Sequence, residues 1–360
     1  MLNRTRIQKG YSKKVASTFR FPALAGAVAM AAATILAPST PAVAQDKITW
    51  RVQSHWPSAS SSFKDSLGRL QGELATCTKG RMALELHEAG ALFPATEIFP
   101  AVKRGVIQMG TISPAYLPET VSSAGIASGL PFAFRNVWEA AYFHKHMGFE
   151  KLIRDEVAAQ GVYYSTDKVY PTEMVLKSPV NSLDDFRKLK IRSSGALQRF
   201  LTAGGAAASF LPGPEIYPAL STGVINGVHW GAAQGANSMG LYEVAKHHVQ
   251  PALNIAGTDA FVINQKALDA LPPDIRKCVI DTLDEQFWMR TNQYLYQERI
   301  TLAKAIKEKG VKINQLPPDV LDHLTKVAAK QWEEEGKKGP GAQKALAMLK
   351  AFMTELGYLK

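Results

Sequence analysis

The first 44 residues hold no acidic side chain, against six basic ones: Arg4, Arg6, Lys9, Lys13, Lys14 and Arg20. An alanine-rich apolar run over 21–37 follows, and Ala42-Val43-Ala44 has the small-x-small pattern of a cleavage site. This is the layout of a secretory signal peptide, residues 1–44, removed after about Ala44. The run is rich in small residues and is followed at once by Pro38 and Pro41, which argues against a membrane anchor. No twin-arginine pair precedes it, so the general export route is expected.

Other absences narrow the mature chain. No later run is long and apolar enough to span a bilayer. After cleavage 36 basic and 31 acidic residues remain, a balance too mildly positive to argue for nucleic acid as a partner. There is no phosphate-cradling glycine loop, no HExxH and no nucleophile elbow, so nothing points to an enzyme. His144/His146 and His247/His248 fall on polar faces and are expected to be solvated rather than metal-bound; Asp184/Asp185 suit a helix start. Only two cysteines occur, Cys77 and Cys278. Export permits a disulfide, but both fall in predicted helices far apart in sequence and apparently in different lobes, so two buried free thiols are the expected state.

The remaining 316 residues suggest two lobes. Periodicity predicts a strand over 47–54 (KITWRVQS), a helix to about Cys77, a strand over 82–87, a helix over 94–104 and a strand over 106–112. An internal repeat carries the architecture further. Residues 94–107 (PATEIFPAVKRGVI) and 212–225 (PGPEIYPALSTGVI) share eight of fourteen positions at a constant offset of 118. In each copy proline opens a helix, glutamate sits in its first turn, and glycine ends it before a strand. Two copies mean two similar α/β lobes, not a solenoid. The strand over 189–192 then matches the strand over 47–54, and their tips, Ser54-His55-Trp56 and Arg192-Ser193-Ser194, face one cleft. A single helix is predicted over 136–159, with extended segments over 162–166 and 172–177 crossing between the lobes. Residues 259–264 (DAFVIN) form a strand returning to lobe one. Leu271-Pro-Pro-Asp274 opens a helix with Ile275, Val279, Leu283 and Phe287 on one stripe; unbroken to Gly310, it is roughly 50 Å long and reaches across both lobes. Further helices follow from Leu316 and over 342–356. The expected division is 45–132 with about 254–300 for lobe one, 133–253 for the hinge and lobe two, and 301–360 for terminal helices.

Arg192 ends a strand beside a Gly/Ser turn. Its guanidinium can hold a carboxylate as a planar fork, and it can equally be a surface arginine. Trp230, closing the strand before Gly231, reads as a pocket wall or as core filler. Trp56 and Tyr116 are candidates of the same kind, and Glu173 is either a pocket acid or a solvated strand residue. Ser193 and Gln234 could complete an anion site around Arg192, whose buried charge would need such help.

The export signal, KITWRVQSHWP, GALFPATEIFPAVKRGVIQMG, LKIRSSG, LPGPEIYPALSTGVINGVHW and the LPPD-initiated helix resemble the solute-binding proteins of TRAP (tripartite ATP-independent periplasmic) transporters, the DctP type. The resemblance covers essentially the whole mature chain. It implies a two-lobed periplasmic binding protein, a Venus flytrap of α/β class with hinge crossings and a long helix spanning both lobes. Its partners would be a small organic acid, probed first among 2-oxo and 2-hydroxy monocarboxylates, and the TRAP membrane permease subunits in a sodium-linked, ATP-independent transport. The family's carboxylate-clamping arginine falls on Arg192, and Trp230 resembles the tryptophan of the branch that binds 2-oxo acids. That branch has a glutamate-proline pair about ten residues before an asparagine equivalent to Asn264; here Asn254-Ile255 stands there, so no metal or other cofactor is expected. The branch's pocket glutamine is replaced within Tyr170–Glu173. An exported sensor docking to a receptor is the alternative reading, and an exported enzyme acting on organic acids a more remote one.

Overall fold

In the computed structural model, which describes residues 47–359, alternation along ITWRVQ makes β1 (Ile48–Gln53) and turns Trp50 and Val52 into the core. The signal-peptide reading lies outside these residues. A π-helical turn (Phe63–Gly68) leads into α1 (Arg69–Cys77), followed by β2 (Met82–His87), α2 (Ile98–Lys103) and β3 (Met109–Ile112). Three helices, α3 (Ala124–Ala127), α4 (Val137–Lys145) and α5 (Phe149–Ala158), precede the long β4 (Val162–Thr172). The second half begins with β5 (Met174–Leu176), α6 (Leu183–Arg187), β6 (Lys190–Arg192), α7 (Gly195–Ala203), β7 (Ala207–Ser209), α8 (Gly213–Thr222) and β8 (Gly227–His229). Then come α9 (Ala233–Ser238), α10 (Leu241–Val244), β9 (His247–Gln250), β10 (Asn254–Asn264), α11 (Gln265–Asp269), α12 (Pro273–Lys309), β11 (Lys312–Gln315), α13 (Pro318–Gly336) and α14 (Pro340–Glu355).

The strands form two sheets, ordered β2-β1-β3-β10-β4 and β11-β9-β5-β8-β6-β7. In each, three parallel strands (β2-β1-β3, β7-β6-β8) are flanked by an antiparallel one, β10 against β3 and β5 against β8. The repeat is thus structural. Gly105 and Gly223 both adopt the left-handed conformation (φ 73° and 82°) that ends the preceding helix, as a C′ glycine does. Ile107 and Ile225 behind them are both buried.

The chain passes between the sheets twice as strand. β4 lies in the first sheet and, one residue later, β5 lies in the second; β9 lies in the second and β10 returns to the first. Helix α12, of 37 residues and roughly 55 Å, bridges the same divide. Its predicted stripe is buried throughout, Ile275, Val279 and Leu283 in one of the two apolar clusters around the first sheet and Phe287 in the other; farther on, Ala305 packs into the core of lobe two.

Several expectations change. The helix over 136–159 is two helices, broken where Gly148 turns left-handed (φ 85°). The strand over 106–112 starts only at Met109. Residues 137–172, placed by sequence with lobe two, belong to lobe one: α4 and α5 pack on β4, which pairs with β10 in the first sheet. The terminal helices divide, α13 joining the core of lobe two through Val320 and Leu324 and α14 that of lobe one through Leu346 and Leu349. Among the described residues no helix is long and apolar enough to cross a membrane. His144 and His248 are buried, not solvated. Burial, with Lys145 beside it, lowers His144 to about 3, so it stays neutral.

The cysteines are also not free thiols in separate lobes. Cys77, at the end of α1, is disulfide-bonded to Cys278 in α12, with Cα atoms 6.2 Å apart. The first turns of α12 pack on lobe one, which brings the two together. Replacing both by alanine should cost about 2–4 kcal/mol in urea unfolding, since the bridge restrains a chain separation of 201 residues.

At the crossings, Glu173 stands between β4 and β5, its Oε2 2.5 Å from Nε2 of His248 on β9. Nearby, Glu298 of α12 accepts the Ala233 and Gln234 amides at 2.5 and 2.8 Å. Burial, reinforced by the Glu173 carboxylate, pushes Glu298 up to about 7 against the pull of those amides. Because its folded value exceeds the ordinary 4.5, its stabilising contribution is complete below that value and is lost as pH rises through about 7. Thermal unfolding between about pH 4.5 and 8 should therefore show a downward slope, on the order of 3 kcal/mol, that Glu298→Gln removes.

Candidate functional site

β1 and β6 end at the same place in their respective sheets, and their carboxyl ends open on a cavity of about 70 Å³ between the lobes. The cleft is closed. Arg192 Nη2 donates to the Tyr116 hydroxyl at 3.0 Å across it, and Ser61 N donates to Ser238 Oγ at 3.2 Å. Gly195, the first residue of α7 (φ 58°), lies so near lobe one that a Cβ there would come 2.6 Å from Cβ of Ala115.

Arg192 is 2% exposed. Its Nε donates to Leu211 O at 3.0 Å and its Nη1 to His229 O at 2.9 Å, and its guanidinium lies 4.9 Å from the Trp230 ring. Every one of these partners is neutral. Three of five N–H donors are used, which leaves one on each terminal nitrogen. A buried cation with no carboxylate beside it is costly, so the site is built for an anion that is not part of the chain.

Ladder register shows what Arg192 replaces. Gln53 pairs with Gly110 as Arg192 pairs with Val228, and those partners are 118 residues apart, the repeat offset. Gln53 is spent inside lobe one, donating to Ser54 O and Glu88 O and accepting from Leu92 N. Only the second copy aims a cation at the cleft.

Of the residues singled out from sequence, Arg192, Trp230, Trp56 and Tyr116 come together on the cavity wall. Glu173 sits instead at the hinge beside His248. Ser193 lies behind the wall, its Oγ 3.1 Å from His229 Nδ1. Gln234 is at the cleft rim, donating to Asp65 Oδ2 at 3.4 Å and also meeting Gln297. Asn254 fastens a loop through Ser128 O and Ala256 N, and Asn264 caps α11 by accepting from Ala267 N.

The wall also holds His55, placed by the sequence at the strand tip facing the cleft, and residues that sequence reasoning missed: His229, Asp259, Tyr170 and Tyr294. His229 Nε2 has no hydrogen-bond partner among the described residues. Burial, and then Arg192, lower its pKa to about 3, so the ring is neutral. In the tautomer whose Nδ1 accepts from the Ser193 hydroxyl, Nε2 carries a hydrogen beside the guanidinium. Asp259 could have been noticed as a charge inside the apolar strand DAFVIN.

Comparison with known proteins sets this geometry in a family. The sequence profile of DctP, the bacterial extracellular solute-binding protein, family 7, matches residues 53–338. The chain belongs to this family. A monocarboxylate 2-oxoacid-binding periplasmic protein of Nostoc sp. is 23% identical over 86% of this chain and 85% of its own length. The C4-dicarboxylate-binding periplasmic protein DctP of Rhodobacter capsulatus is 28% identical over 86% of this chain and 90% of its own. A TRAP periplasmic solute-binding protein of Pseudoalteromonas atlantica, solved with bound sodium and pyruvate, superposes with a TM-score of 0.80 at 22% identity, covering 87% of this chain and 95% of that one. The family and the fold are those of extracytoplasmic solute-binding receptors of TRAP transporters, periplasmic proteins that take up small organic acids.

A metal site built on several acidic or imidazole side chains does not fit here. Among the described residues Asp259 is the only carboxylate on the cavity wall, and Lys168 and His55 already balance its charge. Among the described residues no group of three His, Cys, Asp or Glu side chains could hold a metal ion.

A methyl at Gly195 would strain its left-handed backbone (φ 58°) in the open and closed states alike, and beyond that it would clash with Ala115 when the cleft closes. Gly195→Ala should weaken ligand affinity roughly tenfold for each 1.4 kcal/mol of clash in the closed state. The double variant with Ala115→Gly should recover most of that loss, measured by calorimetry.

Proposed function

We propose that this protein captures a small monocarboxylate in the cleft and hands it, enclosed, to the membrane permease of a TRAP transporter. One observation carries the reading: the guanidinium of Arg192 is buried with neutral partners only, and two of its donors remain free. A carboxylate placed there supplies the missing charge and accepts both hydrogens, the bidentate pairing that suits a planar fork. Trp230, packed on the guanidinium, and Trp56 and Tyr116 exclude water from the organic part of the ligand, which strengthens the pairing. The Nostoc relative's name and the pyruvate of the Pseudoalteromonas structure support a monocarboxylate.

The lobes would open by bending at the two crossings, a hinge motion in which few backbone positions change. Arg192 bonds Tyr116 across the cleft, so ligand capture and closure use the same side chain. A closed, occupied receptor would then present a surface for the permease that the open one lacks.

Arg192→Met keeps much of the side-chain volume and removes the charge. It should weaken binding of small organic acids by at least ~100-fold, about 2.7 kcal/mol, in isothermal calorimetry. Arg192→Lys should retain part of the affinity, as a point charge without the fork. Unaltered binding by the methionine variant would remove Arg192 from the site.

A further inference from the structure

Opposite Arg192, the lobe-one wall of the cavity presents a different chemistry. Asp259, on β10, has one oxygen 2.6 Å from Lys168 Nζ and the other 3.3 Å from His55 Nε2. Burial pushes its carboxyl up, but Lys168 and His55 outweigh that and hold it well below the usual carboxylate range. Lys168 is fully buried; it also meets Asp167 at 2.9 Å and lies over the Trp56 and Tyr170 rings at 4.7 and 4.8 Å. Asp167 in turn accepts from Ser66 Oγ at 2.7 Å, and Ser66 accepts from Arg290 Nε at 3.0 Å. Lys168 pairs with both carboxylates and Arg290 reaches Asp167 through Ser66, so this network holds two carboxylates and two cations within lobe one.

That balance leaves Arg192 as the uncompensated charge of the cavity wall, and it sets the charge of the ligand. A monoanion completes the site. A dianion would press its second carboxylate against Asp259, and a zwitterion would return the site to an excess positive charge. Hydrogen bonding adds a second restriction. An ionised carboxylate can only accept, so a ligand group facing Asp259 must carry a hydrogen. A keto oxygen there would set two acceptors against each other away from water, and the unpaired group would keep its full desolvation cost.

On the carboxylate-clamp reading above, we infer that the ligand is a monoanionic acid whose second polar group is a neutral hydrogen-bond donor, a lactam N–H or a 2-hydroxyl, and that Asp259 is the residue that selects it. The two lobes divide recognition between them. Lobe two offers the Arg192 fork to the ligand's carboxylate, joined by His229 Nε2–H in the tautomer whose Nδ1 accepts from Ser193. Lobe one offers an acceptor to its donor. Closure brings the two demands together, so only an acid meeting both is held from both sides.

Matched pairs of acids test this on the wild-type protein by calorimetry. L-lactate and pyruvate differ in a hydroxyl against a keto oxygen; pyroglutamate and tetrahydrofuran-2-carboxylate differ in a lactam N–H against a ring ether. In at least one pair the donor-bearing acid should bind more tightly by at least about tenfold, because a site built to accept a hydrogen bond rejects an analogue without one. Succinate should bind more weakly than the preferred acid. Asp259→Asn, which offers an amide in place of the carboxylate, should shrink or reverse the preference within that pair. If both pairs bind with equal affinity, or the keto and ether acids bind more tightly, and Arg192→Met abolishes binding, the donor inference falls while the carboxylate clamp stands. If no acid of a broad panel of small organic acids binds the wild-type protein, the clamp falls and the inference with it. The wild-type comparison decides the matter even if Asp259→Asn fails to fold.

Discussion

A positive charge taken out of water must be answered by a negative one, and in this protein the answer is missing from the chain. Arg192 is held by two backbone carbonyls and a phenol, which fix its direction without neutralising it. Much else in the site follows from that. The Tyr116 contact makes the guanidinium part of the closed cleft, the Trp230 ring shields it, and its charge adds to burial in keeping His229 neutral. Lobe one solves its own buried charges internally, through Lys168 and Asp259, and so has none left over.

This asymmetry grows out of a symmetric frame. The two sheets share strand order and register, and the repeated helix ends at the same glycine in both. Position for position, Gln53 and Arg192 are equivalents, yet one tethers a loop within its lobe and the other faces the cavity. The equivalence explains why a single clamp suffices: two guanidinia at matching strand ends would ask for a dianion.

How far the chain could be read follows the range of the forces involved. Unlike the short β7, β9 and β11, the longer strands, α12's apolar stripe and the twofold repeat depend on local periodicity and were legible. So were Arg192, Trp230, Trp56 and Tyr116 as residues at strand ends and turns. Asp259 and Tyr294 were not, because each reaches the cavity only through packing of segments more than a hundred residues apart. The cysteine pairing was missed for the same reason: Cys77 and Cys278 lie 201 residues apart, and only the docking of α12 on α1 brings them together. Glu173 looked like a pocket acid from its place near the crossing, and only the neighbouring strand revealed His248 as its partner.

The exchange of strands between the sheets has a consequence for how the molecule comes into being. The first sheet cannot be finished until β10 inserts between β3 and β4, about 150 residues after β3 has been made and with most of lobe two in between. Neither lobe is therefore an autonomous folding unit, and a cut between the halves would leave each with an open edge where its neighbour's strand belongs. Such long-range pairing makes loop closure the slow part of assembly. The same two strands that let the lobes hinge also oblige them to fold as one.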